Sequence, residues 1–262
     1  MTQKQSGMTL IELLIGMLLS LFLIAGMSQI FMQSQKNFAL ERNLSDMTED
    51  AIFVLDLLSK SLSLAGYSSD GKMDLFLTET QADAKLMNST IIFNQSEYIH
   101  GVNDELIYRF KITSATDLKN SLCTEPLDFT ANDIIKVRIY EDKDGDGVPV
   151  FYCKVKQTSV TDSFNAKPLI SQVEKLEFRY GVQNKNDVNN PSDDTFYYAK
   201  SADIDDWKNV FAVKVFLVMR SADNNLTSAK MKYTIENTSY TASDNRLYHV
   251  FSKTIYLQAL AQ

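Results

Sequence analysis

The sequence predicts an α+β protein: one long amino-terminal α-helix, half membrane segment and half amphipathic, packed against a carboxy-terminal antiparallel β-sheet head. Three observations carry this. An apolar stretch runs from Met8 to about Met32 with a single charge, Glu12. A stripe of Leu40, Leu44, Met47, Ala51, Leu55, Leu58, Leu62 and Ala65 then recurs at steps of three and four, which is one face of a 3.6-residue helix. Beyond it, strand-like runs follow one another without intervening helices, the order of an α+β chain.

The apolar stretch is long enough to cross a bilayer, since roughly 20 such residues suffice. Glu12 is the anomaly within it. A carboxylate at the centre of a membrane helix costs on the order of 2.5 to 3.5 kcal/mol on insertion scales, so it calls for a partner, and the stretch supplies none. No proline occurs before Pro126, so nothing forces a break between Met8 and about Ala65. At 1.5 Å per residue that helix would be roughly 85 Å long. Gly66, followed by Tyr67, Ser68, Ser69, Asp70 and Gly71, reads as its cap and exit turn. The stripe is expected to pack under a sheet of the same chain; a short coiled coil with a partner is the alternative.

Strands are expected at 90–93, 105–112, 133–141, 148–156, 173–182, 210–221 and 248–257. Ile135, Val137 and Ile139 alternate with Lys136, Arg138 and Tyr140, and Val213, Val215 and Leu217 alternate with Lys214 and Phe216. The segment around Trp207 reads as a short helix or loop lying on the sheet.

Asp142, Asp144 and Asp146, spaced as D-x-D-x-D-G, match the first half of an EF-hand loop and are candidate ligands for a weak Ca²⁺ site. The second half fails, because Cys153 stands where a bidentate glutamate is required. A hairpin turn between the strands at 133–141 and 148–156 is the competing reading, with Asp-Gly as the expected turn chemistry. The two cysteines, Cys123 and Cys153, either form a disulfide, stabilising by roughly 3 to 4 kcal/mol in the chain-entropy model, or stand as buried thiols. Together with only His100 and His249 they do not make a zinc site.

The leader ending in Gly7, then Met8 and Thr9-Leu10-Ile11-Glu12-Leu13-Leu14, resembles the processing signal of type IV prepilins and pseudopilins. The resemblance implies cleavage after Gly7 by a membrane-embedded prepilin peptidase, methylation of the new amino terminus at Met8, and a pilin-like fold. It also implies pairing of Glu12 with the terminal amine of a neighbouring subunit. The family usually has phenylalanine where Met8 stands. The segment 51–67, with its Leu57-Leu58-Ser59 and Ala65-Gly66-Tyr67, resembles the helix end of PilW-type minor pilins. The blocks 168–182, 207–221 and 246–252 are similar to that group as well; the stretch 68–130 carries no resemblance. An Asn-rich loop at 183–194 replaces the aspartate and glycine run that relatives often carry.

On this reading 1–7 is a cleaved leader, 8–32 the transmembrane and filament-core helix, 33–66 the amphipathic helix, and 67–262 a periplasmic β-rich head. The resemblance implies a minor pilin that primes type IV pilus assembly and sits near the tip, supporting adhesion, twitching motility or DNA uptake. Its implied partners are other minor pilins, the major pilin, a tip adhesin of the PilY kind, the prepilin peptidase and the inner-membrane assembly platform. The implied location is the inner membrane, with the amino terminus cytoplasmic, and then the pilus at the cell surface.

Other classes fit less of the chain. A secretory signal peptide, with Lys4 as its basic region, predicts small residues before a distal cut, where Leu23-Ile24-Ala25 is too bulky. A plain anchor carrying a periplasmic binding module leaves Glu12 unexplained, and a J-type pseudopilin of a type II secretion system shares the same signal and helix. The formal charge of −7, with no basic cluster, argues against direct nucleic-acid binding. No phosphate-binding glycine loop or nucleophile elbow is present, and no enzyme or cofactor is expected beyond the candidate Ca²⁺ site.

Overall fold

A computed structural model of the chain describes residues 9–68, 78–79, 91–111, 133–157, 166–184 and 195–257. Helix α1 spans Leu10–Leu62, 53 residues and about 80 Å at 1.5 Å per residue. Its last turn tightens, with the Leu64 and Ala65 amides donating to the Ser61 and Leu62 carbonyls at 3.1 and 3.0 Å. Gly66 then turns the chain with φ +75°, a conformation that costs glycine little. The helix proper therefore stops at Leu62 rather than Ala65. The chain leaves it alongside the second strand of the head, where Gly66 N–H donates to the Arg109 carbonyl at 2.9 Å.

Among the described residues the head consists of two larger sheets and a hairpin, and all their strand pairings are antiparallel. The first sheet is a meander of β1 (Ile99–Val102), β2 (Glu105–Lys111), β3 (Ile134–Lys143), β4 (Pro149–Gln157) and β5 (Lys167–Ser171), in that order. The second is built from β6 (Val173–Asn184), β7 (Thr195–Ala199), β8 (Val210–Arg220) and β11 (Tyr248–Tyr256), in the order β11-β8-β6-β7. Between β8 and β11 the chain makes the hairpin β9 (Lys232–Ile235) and β10 (Thr238–Thr241).

One core joins helix and sheets. Ala51, Val54, Leu58 and Leu62 of α1 are fully buried with Tyr108, Val137 and Phe151 of the first sheet and Leu176, Val215 and Leu217 of the second. The alternation read in β3 and β8 is observed: Ile135, Val137 and Ile139 face this core, as do Val213, Val215 and Leu217. The opposite faces are covered too. Phe216 and Val218 lie in a second cluster with Ile235 and Tyr248 under the β9–β10 hairpin. On the first sheet, Lys136 and Arg138 are only 5% and 8% exposed; Lys136 pairs with Glu79 at 2.5 Å and Arg138 with Glu105 at 2.5 Å.

Polar contacts tie α1 to the head at both ends of its buried stripe. Asn43 donates through Nδ2 to Asp223 Oδ2 at 2.9 Å, just past the end of β8, and the Ser61 hydroxyl bonds the buried Tyr108 hydroxyl. Asp223 lies three residues past Arg220, the last residue of β8.

Several expectations are corrected. Leu44, expected in the buried stripe, is 46% exposed; Asn43 takes the buried position, because the helix there meets the polar chain after β8 rather than the apolar core. Residues 91–93 form no strand, although Ile91 and Phe93 are buried and pack on Ile107. β1, β5, β7, β9 and β10 were not anticipated. Trp207 begins a 3-10 turn (Trp207–Asn209) and stacks on His100 of β1 with ring centroids 4.1 Å apart, so it lies on the sheet as expected. Tyr180 approaches Gly101 so closely that a Cβ there would stand 1.9 Å from its hydroxyl, which excludes any larger residue without rearrangement.

Leu58→Ala should destabilise the head by about 2 to 5 kcal/mol, because a fully buried side chain at the helix–sheet junction leaves a cavity. Urea denaturation of the full chain in detergent, followed by tyrosine and tryptophan fluorescence, measures it; a change under about 1 kcal/mol would mean that the junction collapses around the smaller side chain.

Candidate assembly site on the amino-terminal helix

From Leu10 to Phe38 every helical residue is exposed, including Leu14, Leu18, Phe22, Ile24, Ile30 and Phe31. The predominantly apolar part of this stretch, Leu10 to Met32, is 23 residues or roughly 35 Å of helix, more than the ~30 Å hydrocarbon thickness of a bilayer, and polar Gln33 to Asn37 follow. An apolar surface of this extent does not stay in water; it marks a membrane or a protein interface. Among the described residues α1 is the one helix long and apolar enough to cross a membrane.

Glu12 stands at the start of this rod. Thr9, in extended backbone, is the N-cap: its hydroxyl accepts from the Glu12 amide at 3.4 Å, and the Glu12 carboxylate accepts from the Thr9 amide and hydroxyl, each at 3.4 Å. This is a capping box, which satisfies two helix-end donors reciprocally, and the helix dipole favours a negative charge there. The carboxylate expected to lack a partner within the segment therefore has a local one. These contacts are long and leave room for a stronger, cationic partner.

Below Glu12, Gly16 and Ser20 follow on the same face at four-residue spacing, in a shallow groove lined also by Leu13, Met17, Leu21 and Ile24. Ser20 returns its hydroxyl to the Gly16 carbonyl at 2.8 Å. Small residues at this spacing let a second helix approach closely. Motif reading found Glu12 but missed Gly16 and Ser20, whose signal is the spacing of small residues from the carboxylate. A second shallow groove lies where the helix joins the head, lined by Glu41, Leu44, Ser45, Thr48, Glu49 and Ile52.

The remaining candidates lie apart from this helix end. Gly7, Met8 and Cys123 are outside the described residues. Cys153 is fully buried in the core, and no free cysteine occurs among the described residues. Asp142, Asp144 and Asp146 fall on the β3–β4 hairpin and its turn. The Asp144 carboxylate accepts from the Asp146 and Val148 amides at 3.0 and 2.8 Å, and the Asp142 carboxylate accepts from the Lys143 amide at 2.8 Å. These oxygens are turned onto their own backbone, and no group of three metal-ligating side chains occurs among the described residues. The hairpin turn expected between these strands is observed.

An exposed apolar helix with a capped carboxylate at its start and a β-rich head on its far half define an α+β protein whose helix fits a membrane anchor. Residues 2–28 match the prokaryotic N-terminal methylation motif, and residues 139–259 match the family model described as type IV pilus-assembly protein W. The two matches are consistent with a type IV minor pilin. The second match takes in the end of β3 and all of β4 to β11, but leaves the helix end at 51–67 outside. No curated protein and no solved structure matches the chain.

Glu141, next to the turn, gives the head a pH response. Burial first, then the nearby Glu174 and Asp104 carboxylates, raise its pKa to about 7 against the opposing pull of Lys175. A raised carboxyl pKa contributes stability that is full below the ordinary value near 4.5 and is lost as pH rises through about 7. Glu141→Gln should therefore melt higher than the wild type at pH 8 and converge with it toward pH 4.5. Melting temperatures across that range decide it; parallel curves for the two proteins would refute the assignment.

Proposed function

We propose that this chain is a minor pilin that primes type IV pilus assembly and is incorporated near the tip, with its head periplasmic until export. The observation that carries the reading is Glu12, held by a capping box at the start of a wholly exposed apolar helix. In a processed chain, cleavage after Gly7 would leave the Met8 amine one residue ahead of the Thr9 cap. The Glu12 carboxylate then has two cationic choices, its own amine or that of the neighbour. Pairing across subunits sets the axial register of packing helices, while Gly16 and Ser20 allow close approach. The partners on this reading are the other minor pilins, the major pilin, the PilY-type adhesin and the assembly platform; adhesion, twitching motility or DNA uptake are the outputs it would support.

Mass spectrometry of the mature amino terminus should find methylated Met8. An intact Met1 would assign the chain to a plain anchor instead. Glu12→Ala should insert into the membrane normally yet reach sheared pili about tenfold less, equivalent to ~1.4 kcal/mol of lost subunit pairing. Normal incorporation of that variant would remove Glu12 from the register, and a secretion defect with intact pili would reassign the chain to a pseudopilus.

Cys123 and Cys153 are proposed to form a disulfide, supported by complete burial of Cys153 and by the exported location. Alkylation of the unfolded, unreduced protein should modify neither residue; modification of both would show two thiols.

A further inference from the structure

The outer edges of the two larger sheets are treated differently. The β5 edge carries Lys167 and Pro168, two devices that discourage further pairing. The short β1 edge lies beneath the loop whose Trp207 stacks on His100, and β11 lies against α1 and β9. The remaining edge is β7. Its sequence, Thr195-Phe196-Tyr197-Tyr198-Ala199, contains no charge, proline or bulge, and its only backbone pairing among the described residues is with β6. An unguarded edge is a template for one more strand.

Side chains flank this edge on both faces. Phe196 and Tyr198 are 63% and 47% exposed on the face away from the core, and Tyr197, on the opposite face, is 44% exposed. The outer face continues as an aromatic strip: Phe196 meets Phe211 edge-on at 5.4 Å, and Phe211 stacks on Tyr256 at 6.3 Å. Gly181 makes room for it, since a Cβ there would stand 3.1 Å from Ala212 Cβ and 3.2 Å from the Phe211 ring. The β9–β10 hairpin covers the other half of this face and leaves the strip open. β7 pairs with the part of β6 that lies beside Val210–Val213, at the end of β8 remote from Asn43 and hence from the exposed apolar helix.

Charge selects the occupant. In the loop after β7, Asp203, Asp205 and Asp206 are exposed and outnumber Lys200 and Lys208. We propose that β7 is the docking edge for an extended cationic segment of a partner protein, which adds as a strand to the β11-β8-β6-β7 sheet. Backbone hydrogen bonds to β7 supply the pairing, Phe196, Tyr197 and Tyr198 pack against the apolar parts of the incoming side chains, and the aspartates favour lysine or arginine among them. This proposal stands whether the chain serves a pilus or a pseudopilus.

Hydrogen–deuterium exchange on the full chain in detergent micelles tests it, with a short peptide alternating lysine and valine as the probe. Exchange of the Thr195–Ala199 amides should slow by about tenfold or more, corresponding to ~1.4 kcal/mol, and recover at high salt. A glutamate–valine peptide, and a lysine–valine peptide interrupted by proline, should give no protection. Tyr197→Pro should abolish the effect, and the exposed double variant Phe196→Lys/Tyr198→Lys should abolish it by repulsion while keeping the fold. Protection elsewhere, no protection, or equal protection by the acidic peptide would overturn the proposal. Concentration-dependent dimerisation protecting these amides would overturn it too, by giving the edge to a second copy of this chain.

Discussion

The structure depends on one face of one helix being buried while its first half has no cover at all. α1 is continuous, so burial of Ala51, Val54, Leu58 and Leu62 fixes the direction in which Leu10 to Phe38 leaves the head. The contrast within a single helix is the design constraint. Its far half needs only a stripe, because two sheets of its own chain cover that stripe. The first part of its near half, Leu10 to Met32, is predominantly apolar on every side, because whatever surrounds it comes from outside the chain. Glu12 is compatible with that arrangement since it sits at the helix end, where unsatisfied amides and the dipole both favour a carboxylate.

The sequence made the broad plan legible wherever periodicity was uninterrupted. Helical spacing from 47 to 62 and clean alternation in β3 and β8 both came from residues whose two sides meet different surroundings. Legibility failed where burial was not the deciding force. β5 contains a proline, β7 is almost entirely exposed, and β9 and β10 are short strands stabilised by lying on Phe216 and Val218; none shows a buried face of its own. Residues 91–93 erred in the other direction, since Ile91 and Phe93 are buried without any strand pairing. Of the candidate site, Glu12 was legible from its motif, whereas its bond to Thr9 and the Gly16–Ser20 face needed the helix in three dimensions.

The first sheet carries an inversion that composition conceals. The chain is acidic overall, yet Arg109, Lys136, Arg138, Lys154 and Lys156 lie close together on the side of that sheet away from the main core, all nearly buried. Like charges so placed repel, and burial and the neighbouring Arg138 together lower the Lys154 pKa. Glu79 and Glu105 answer part of that charge, and the Phe93 ring lies under Arg109 and Lys136. A polar layer of this kind depends on its partners staying in place, because a buried ion left alone is far costlier than an exposed one. Alternating residues thus defined the sheet correctly while misleading about which of its faces meets water.

The two ties between α1 and the head also bear on mechanics. Asn43 is tied to Asp223 beyond the end of β8, and Ser61 is tied to Tyr108 of β2. Between them lies the buried stripe of Ala51, Val54 and Leu58, so a pull along the helix axis is resisted at both ends of that stripe rather than at one point. The interface that gives the head its core is thereby placed to carry load between the helix and whatever the head holds.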